Sequence, residues 1–304
     1  MPSIKTPDFS LELLMKSGQT FCWTHKETEL AGKKAYIAQT VRDGSVVKFW
    51  QEKGNLDTLH YSSTGSLKEE QITKWFGLGD DFGEIIPSIT RDPLVAQAVK
   101  AHPGLRNVHD PLWPCLVSFI IAARNNIPSI QKSMNLISKH YGTPVQGSSE
   151  TFYEFPSAER LAELDVKEFF DKSNTAFRAK HIIKTAQLVV DGALPTQQEL
   201  ERMPYEEAKE HLLKLQGIGE KVADCILLFS LHKLESFPID VWIDRVLREH
   251  YPSFPTYEKT KNSYRKAAEA ARGLFGPFAG YAQDYLYYYK RNQERQAYRA
   301  SAMN

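Results

Sequence analysis

The 304-residue sequence has only three cysteines, Cys22, Cys115 and Cys225, spread far apart along the chain. That scarcity argues against a disulfide framework. It also argues against zinc or iron–sulfur ligation through cysteine, which usually takes four close-set ligands. None of the nine histidines falls in an HExxH-like spacing. No uninterrupted apolar run reaches membrane-spanning length, and "MPSIKTPDFS" lacks both the charged and the apolar parts of a secretion signal. The expectation is a soluble intracellular protein with no membrane partner. A strong charge of one sign is missing too. The net charge of +1 cannot by itself point to a nucleic-acid partner. Only residues 241–304, with eleven Lys/Arg against six Asp/Glu, hold a local positive excess, which a solvated face explains as simply.

What is present suits a folded domain pair: 42% hydrophobic and 25% charged residues, with length enough for two or three domains. The first hundred or so residues read as mostly strand. "KAYIAQTVRDGSVVKFWQE" alternates on both sides of Asp43-Gly44, a hairpin turn signal, and "DTLHYSS" follows. From about Asp92 the apolar spacing becomes three-and-four, as in "LVAQAVKAH", "LWPCLVSFIIAA" and "SIQKSMNLISKHY". The spacing predicts an α+β fold: a small N-terminal antiparallel β domain over 1–104, then a larger all-helical region over 105–304.

Within that region, "YEEAKEHLLKLQGIGEKVADCILLFSL" reads as helix, tight turn, helix, at about 206–230. Gly217 and Gly219 flank Ile218, and the second helix opens near Glu220 with its first amides unpartnered, an arrangement suited to a phosphate. A Walker A loop is excluded, because the glycines are too close and Val222, not Ser or Thr, follows the lysine. On spacing alone, a plain helical hairpin in a core fits equally well. Lys221 sits in the first turn of an apolar helix, where dipole and burial both oppose its charge. Both are expected to lower its pKa and free the amine as a nucleophile. Asp240, in "FPIDVWIDRVLREHY" (loop at about 236–244), stands where an N-cap belongs. An amine beside a carboxylate suits attack at a sugar C1′, where positive charge develops.

"LQGIGEKVADC" followed by "PIDVWIDRV" resembles the helix-hairpin-helix and aspartate signature of the DNA glycosylases related to endonuclease III. No four-cysteine cluster follows, unlike in endonuclease III, and the lysine is present, unlike in the 3-methyladenine glycosylases. "SGQTFCW" (17–23), "SFIIAARNNI" (118–127) and "FGPFAGYAQDYLY" (275–287) are similar to the 8-oxoguanine DNA glycosylases in particular.

The resemblance implies catalysis by Lys221, forming a Schiff base with C1′, and by Asp240. It implies base recognition by the Gly18 carbonyl, which would accept the N7–H that guanine lacks, by Gln283 at the Watson–Crick edge, and by Cys225 and Tyr287 as the two walls. DNA contacts would fall on Arg124, Asn125 and Asn126 in the wedge loop, and on Phe177 and Arg178 beside the orphaned base. Gly217, Gly219, Glu220, Val222 and Trp242 would lie along the backbone. A cation on the carbonyls of Leu213, Leu215 and Ile218 is a further implication of the family's hairpins. The implied protein is a monomeric bifunctional glycosylase and lyase needing no organic cofactor, acting on duplex DNA that contains 8-oxoguanine. It would work in the cytoplasm or nucleoid of a prokaryote, or in a eukaryotic nucleus.

Three positions depart from the eukaryotic pattern. Arg124 replaces an asparagine, Ser129 an arginine that reads the opposite cytosine, and Trp242 a phosphate-contacting histidine. They imply weaker discrimination among opposite bases. The rival readings are a glycosylase for another oxidised or alkylated base, and a non-catalytic helix-hairpin-helix protein that only grips phosphates. The latter needs neither Lys221 nor Asp240.

Overall fold

The computed structural model describes residues 2–148, 150–255 and 260–302. Glu258 and Lys259, counted above in the basic C-terminal stretch, lie outside them. Five antiparallel strands, β1 (Ser3–Lys5), β2 (Thr24–Leu30), β3 (Lys33–Arg42), β4 (Ser45–Glu52) and β5 (Thr58–Ser63), form one sheet in the order β1-β5-β4-β3-β2. The expected turn at Asp43-Gly44 has positive φ at both residues, +51° and +69°, the primed geometry that matches strand twist. It pairs Val41 with Val46 and so fixes the register. Alternate residues of the sheet, Tyr36, Ala38, Val47, Phe49 and Leu59, pack on Phe9, Leu14, Trp23 and Phe76.

The N-terminal region is less purely strand than its alternation suggests. Helices Leu11–Ser17, Glu69–Trp75 and Phe82–Ile89 interrupt it. Each is two turns long, too short to display a 3.6-residue period. Caps mark two of their starts: Ser10 accepts from the Leu13 amide and Asp81 from the Glu84 amide. Helices Phe82–Ile89 and Pro93–Ala101 precede the boundary expected at 104. Their Ile85, Ile89, Val95 and Ala98 nevertheless share a core with Phe237, Ile239, Tyr281 and Tyr285 near the C-terminus.

The helical region has two cores. One gathers helices Leu112–Ala122, Ile127–Tyr141, Ala179–Val190, Tyr205–Leu213 and Glu220–Phe229. The other gathers Val241–His250, Lys261–Phe275 and the long helix Ala279–Ala302. The helix Glu220–Phe229, all but one of whose residues is buried, lies at the seam between them. A 930 Å³ groove runs along that seam, with walls from both cores.

Candidate active site

The hairpin turn is shaped by its glycines. Gly217 has φ +83°, and a Cβ there would come within 3.1 Å of His181, so only glycine lets the turn pack under helix Ala179–Val190. Thr185 Oγ1 holds the turn by donating to the Gln216 carbonyl at 3.2 Å. Gly219 then takes the N-cap position of Glu220–Phe229 without a side-chain cap, which leaves the first amides free for an anion. The Leu215 carbonyl accepts from the Ile218 amide at 3.4 Å. The buried Glu220 carboxylate lies 2.7 Å from Arg265 Nε and 3.2 Å from Lys209 Nζ and is engaged away from the groove.

Lys221 and Asp240 both line the groove and a 60 Å³ cavity that opens beneath it. Asp240 Oδ1 accepts from the Trp242 and Ile243 amides, each at 2.9 Å, which caps helix Val241–His250 and aims the carboxyl inward. No ion pair joins the two side chains among the described residues. The Lys221 ammonium lies 5.5 Å from the Phe119 ring centroid. Its pKa corrects the sequence expectation. Burial does lower it, but Cys225 and Asp240 raise it by more, so the amine stands above the ordinary lysine value of 10.5. Burial pushes the Asp240 carboxyl up as well, against the pull of Lys221. The resting pair is therefore an ammonium facing a carboxyl group that readily takes a proton.

The small cavity also collects Gly18, Cys225, Gln283 and Tyr287, the four residues expected to read a base. Gly18, at φ +90°, ends helix Leu11–Ser17, and a Cβ on it would clash with Ile127 Cδ1 at 2.6 Å. Gln19 pins this segment, donating to the Arg106 carbonyl at 3.1 Å and accepting from the Val108 amide at 2.7 Å. Burial pushes the Cys225 thiol up to about 11, so it stays neutral. Gln283 Oε1 is buried with no partner. Linear reading missed Arg291, which is 3% exposed. Its guanidinium donates to the Lys16 carbonyl, to the Ser17 carbonyl at 2.9 Å and to the Tyr287 hydroxyl at 3.0 Å. It thus braces the Gly18 segment and one cavity wall together. Its place one turn beyond Tyr287, on the same helix face, was the available signal.

The other expected DNA contacts divide. Arg124 is exposed and holds the left-handed conformation at φ +53°. Asn125 donates to the Ile121 carbonyl, and Asn126 caps helix Ile127–Tyr141 by accepting from the Ser129 amide at 3.0 Å. Phe177 is 54% exposed, fit for a wedge. Arg178 is not presented beside it for a base. It is buried, and its guanidinium donates to the Ala123 carbonyl and, at 3.2 Å, to the Arg124 carbonyl, because those loop carbonyls need donors. Trp242 lines the groove and lies under Arg245, 5.0 Å from its ring centroid.

A hairpin turn with free amides, and a half-buried lysine sharing one cavity with a carboxyl group and the four residues expected to read a base, are the features of a helix-hairpin-helix base-excision protein. Residues 117–270 match the model of the HhH-GPD superfamily base excision DNA repair proteins, and residues 3–116 that of the 8-oxoguanine DNA glycosylase N-terminal domain. The chain belongs to the 8-oxoguanine DNA glycosylases of that superfamily. It is 29% identical to the "Probable N-glycosylase/DNA lyase" of Methanothermobacter thermautotrophicus over 95% of each chain. Among solved structures, MBOgg1 in complex with a low-affinity DNA ligand aligns with a TM-score of 0.83 and 32% identity over 96% of both chains. The 8-oxoguanine glycosylase/lyase of Clostridium acetobutylicum, bound to duplex DNA with cytosine opposite 8-oxoguanine, aligns with a TM-score of 0.82. It is 29% identical over 97% of this chain and 99% of that one.

Proposed function

We propose that this chain is a bifunctional DNA glycosylase and lyase that excises 8-oxoguanine from duplex DNA through Lys221. The observation that carries the reading is the convergence of Lys221 and Asp240 with Gly18, Cys225, Gln283 and Tyr287 on one cavity. Lys221 Nζ, its proton passed to Asp240, attacks C1′. The C1′–N9 bond breaks and its electron pair leaves with the base. Ring opening gives a Schiff base at C1′. Loss of a C2′ proton then expels the 3′-phosphate and nicks the strand. Asp240 hands the lysine's proton on to the departing base, and its regained negative charge offsets the positive charge of the Schiff base at C1′.

The base enters from the groove, with the Gly18 carbonyl testing for N7–H. Phe177 wedges the gap, and Arg178, seated under the 123–124 carbonyls, holds the Arg124–Asn126 loop in shape. The hairpin amides from Gly217 to Val222 grip a backbone phosphate, and the carbonyls of Leu213, Leu215 and Ile218 are the place for a cation. The chain works as a monomer, and no described helix is long and apolar enough to cross a membrane.

Borohydride should trap a covalent complex with an 8-oxoguanine duplex, and Lys221→Gln should abolish it. Trapping that survives the substitution would move the nucleophile elsewhere.

A further inference from the structure

The base cavity contains an acid that the reading above leaves without a role. Asp284 follows Gln283 on helix Ala279–Ala302 and lies on the face that carries Tyr287 and Arg291, three and seven residues on. The residue lines the 60 Å³ cavity with Gly18, Lys221, Cys225 and Gln283 and is 3% exposed. No hydrogen bond or ion pair reaches its carboxyl among the described residues, and Oδ2 is buried without a partner.

The obvious structural partner is Arg291, but it is committed elsewhere. Two of its nitrogens hold the Lys16 and Ser17 carbonyls and the Tyr287 hydroxyl, while its Nε is itself buried and unpartnered. An unpartnered polar group in a core is costly, and such groups persist where a ligand supplies the missing bond. Gln283 Oε1 stands in the same condition beside it. Two adjacent residues that line one cavity thus carry polar atoms with bonds to make.

We propose that Asp284 is a second reader of the flipped base, hydrogen-bonding its polar edge alongside Gln283. Burial holds the carboxyl well above the usual carboxylate range, with Arg291 pulling the other way, which favours the neutral acid. A neutral acid offers an O–H donor and a C=O acceptor side by side, as a carboxamide does. That pattern complements the O6 acceptor and N1–H donor of a guanine-type base. It also lets asparagine stand in for the aspartate.

The inference rests on the base-pocket reading above, and the test separates the two. Single-turnover excision of 8-oxoguanine is compared with cleavage of a preformed abasic site, which has no base to read. Asp284→Ala should slow excision about tenfold and leave abasic-site cleavage unchanged, while Asp284→Asn stays close to wild type. Unchanged excision in Asp284→Ala would overturn the proposal. So would a parallel fall of excision and abasic-site cleavage in both variants, which marks a packing role. Gln283→Ala, run alongside, tells the failures apart. If it slows excision and Asp284→Ala does not, only the role of Asp284 falls. If neither slows it, the pocket reading itself is wrong.

Discussion

Two lysine–aspartate pairs, one buried and one half-buried, lie within a few residues of each other in sequence and serve opposite ends. Lys209 bonds Asp224 at 2.8 Å, Glu220 at 3.2 Å and the Tyr205 hydroxyl at 3.2 Å, and Tyr264 donates to the other Asp224 oxygen at 2.7 Å. Two carboxylates and a hydroxyl surround that ammonium. The cluster ties both hairpin helices to helix Lys261–Phe275, and through the Tyr264 hydroxyl it holds the Ile239 amide next to Asp240. Lys221 and Asp240, by contrast, share a cavity without an ion pair. Satisfied charges make a staple; unsatisfied charges beside open space make a reagent. The residue types alone do not say which is which.

Removing one partner from each pair should sharpen the contrast. Asp240→Asn should slow excision by roughly 10²–10³-fold, measured in single turnover. Because asparagine can still cap helix Val241–His250, the fold should persist. The raised Asp240 pKa means that its stabilising form is the protonated one, present below the ordinary carboxylate value and lost as pH rises through the raised one. Ionisation of this carboxyl is disfavoured in the fold, so the melting temperature of Asp240→Asn should hold or increase. A marked decrease would place Asp240 among the structural pairs.

Lys209→Met should do the reverse. Leaving Asp224 and Glu220 buried without their cation should cost about 3–5 kcal/mol of stability by chemical denaturation. Borohydride trapping per folded molecule should change little. If trapping collapses while the protein stays folded, the two clusters are not separable.

The smallest effect is in the pH profile. The Lys221 pKa lies above 10.5, so its stabilising ammonium form is lost as pH rises through that raised value, where the free amine appears. Cleavage of an abasic site should therefore climb with pH into the alkaline range. Asp240→Asn, which removes one of the charges that raise the amine, should shift the climb to lower pH. A climb that stays put would mean Asp240 does not set the state of the amine.

Much of this site was legible because it is linear: Lys221 and Cys225 one turn apart, Asp240 behind its proline, Gly18 in its own short motif. The hairpin turn at Asp43-Gly44 was legible for the same reason. What escaped depends on distant segments meeting. Arg291 matters because it reaches the carbonyls of residues 16 and 17, and Phe119 because it passes under Lys221. The sign of the Lys221 shift escaped too, since local burial and the helix dipole argued one way and a carboxyl nineteen residues on argued the other. Helices Glu69–Trp75 and Phe82–Ile89 escaped through brevity alone.

The feature at Gly18 bears on how this chain can evolve. The acceptor that would sense N7–H belongs to the main chain, so the genetic code offers no substitution that alters its chemistry. Glycine is itself favoured there by a left-handed φ of +90°, and any Cβ would make the Ile127 side chain turn aside. Heritable change in what the pocket accepts must therefore come through the supports, Arg291 and Ile127, or through the readers at 283 and 284. Lesion preference can be retuned from the periphery while its central test stays fixed.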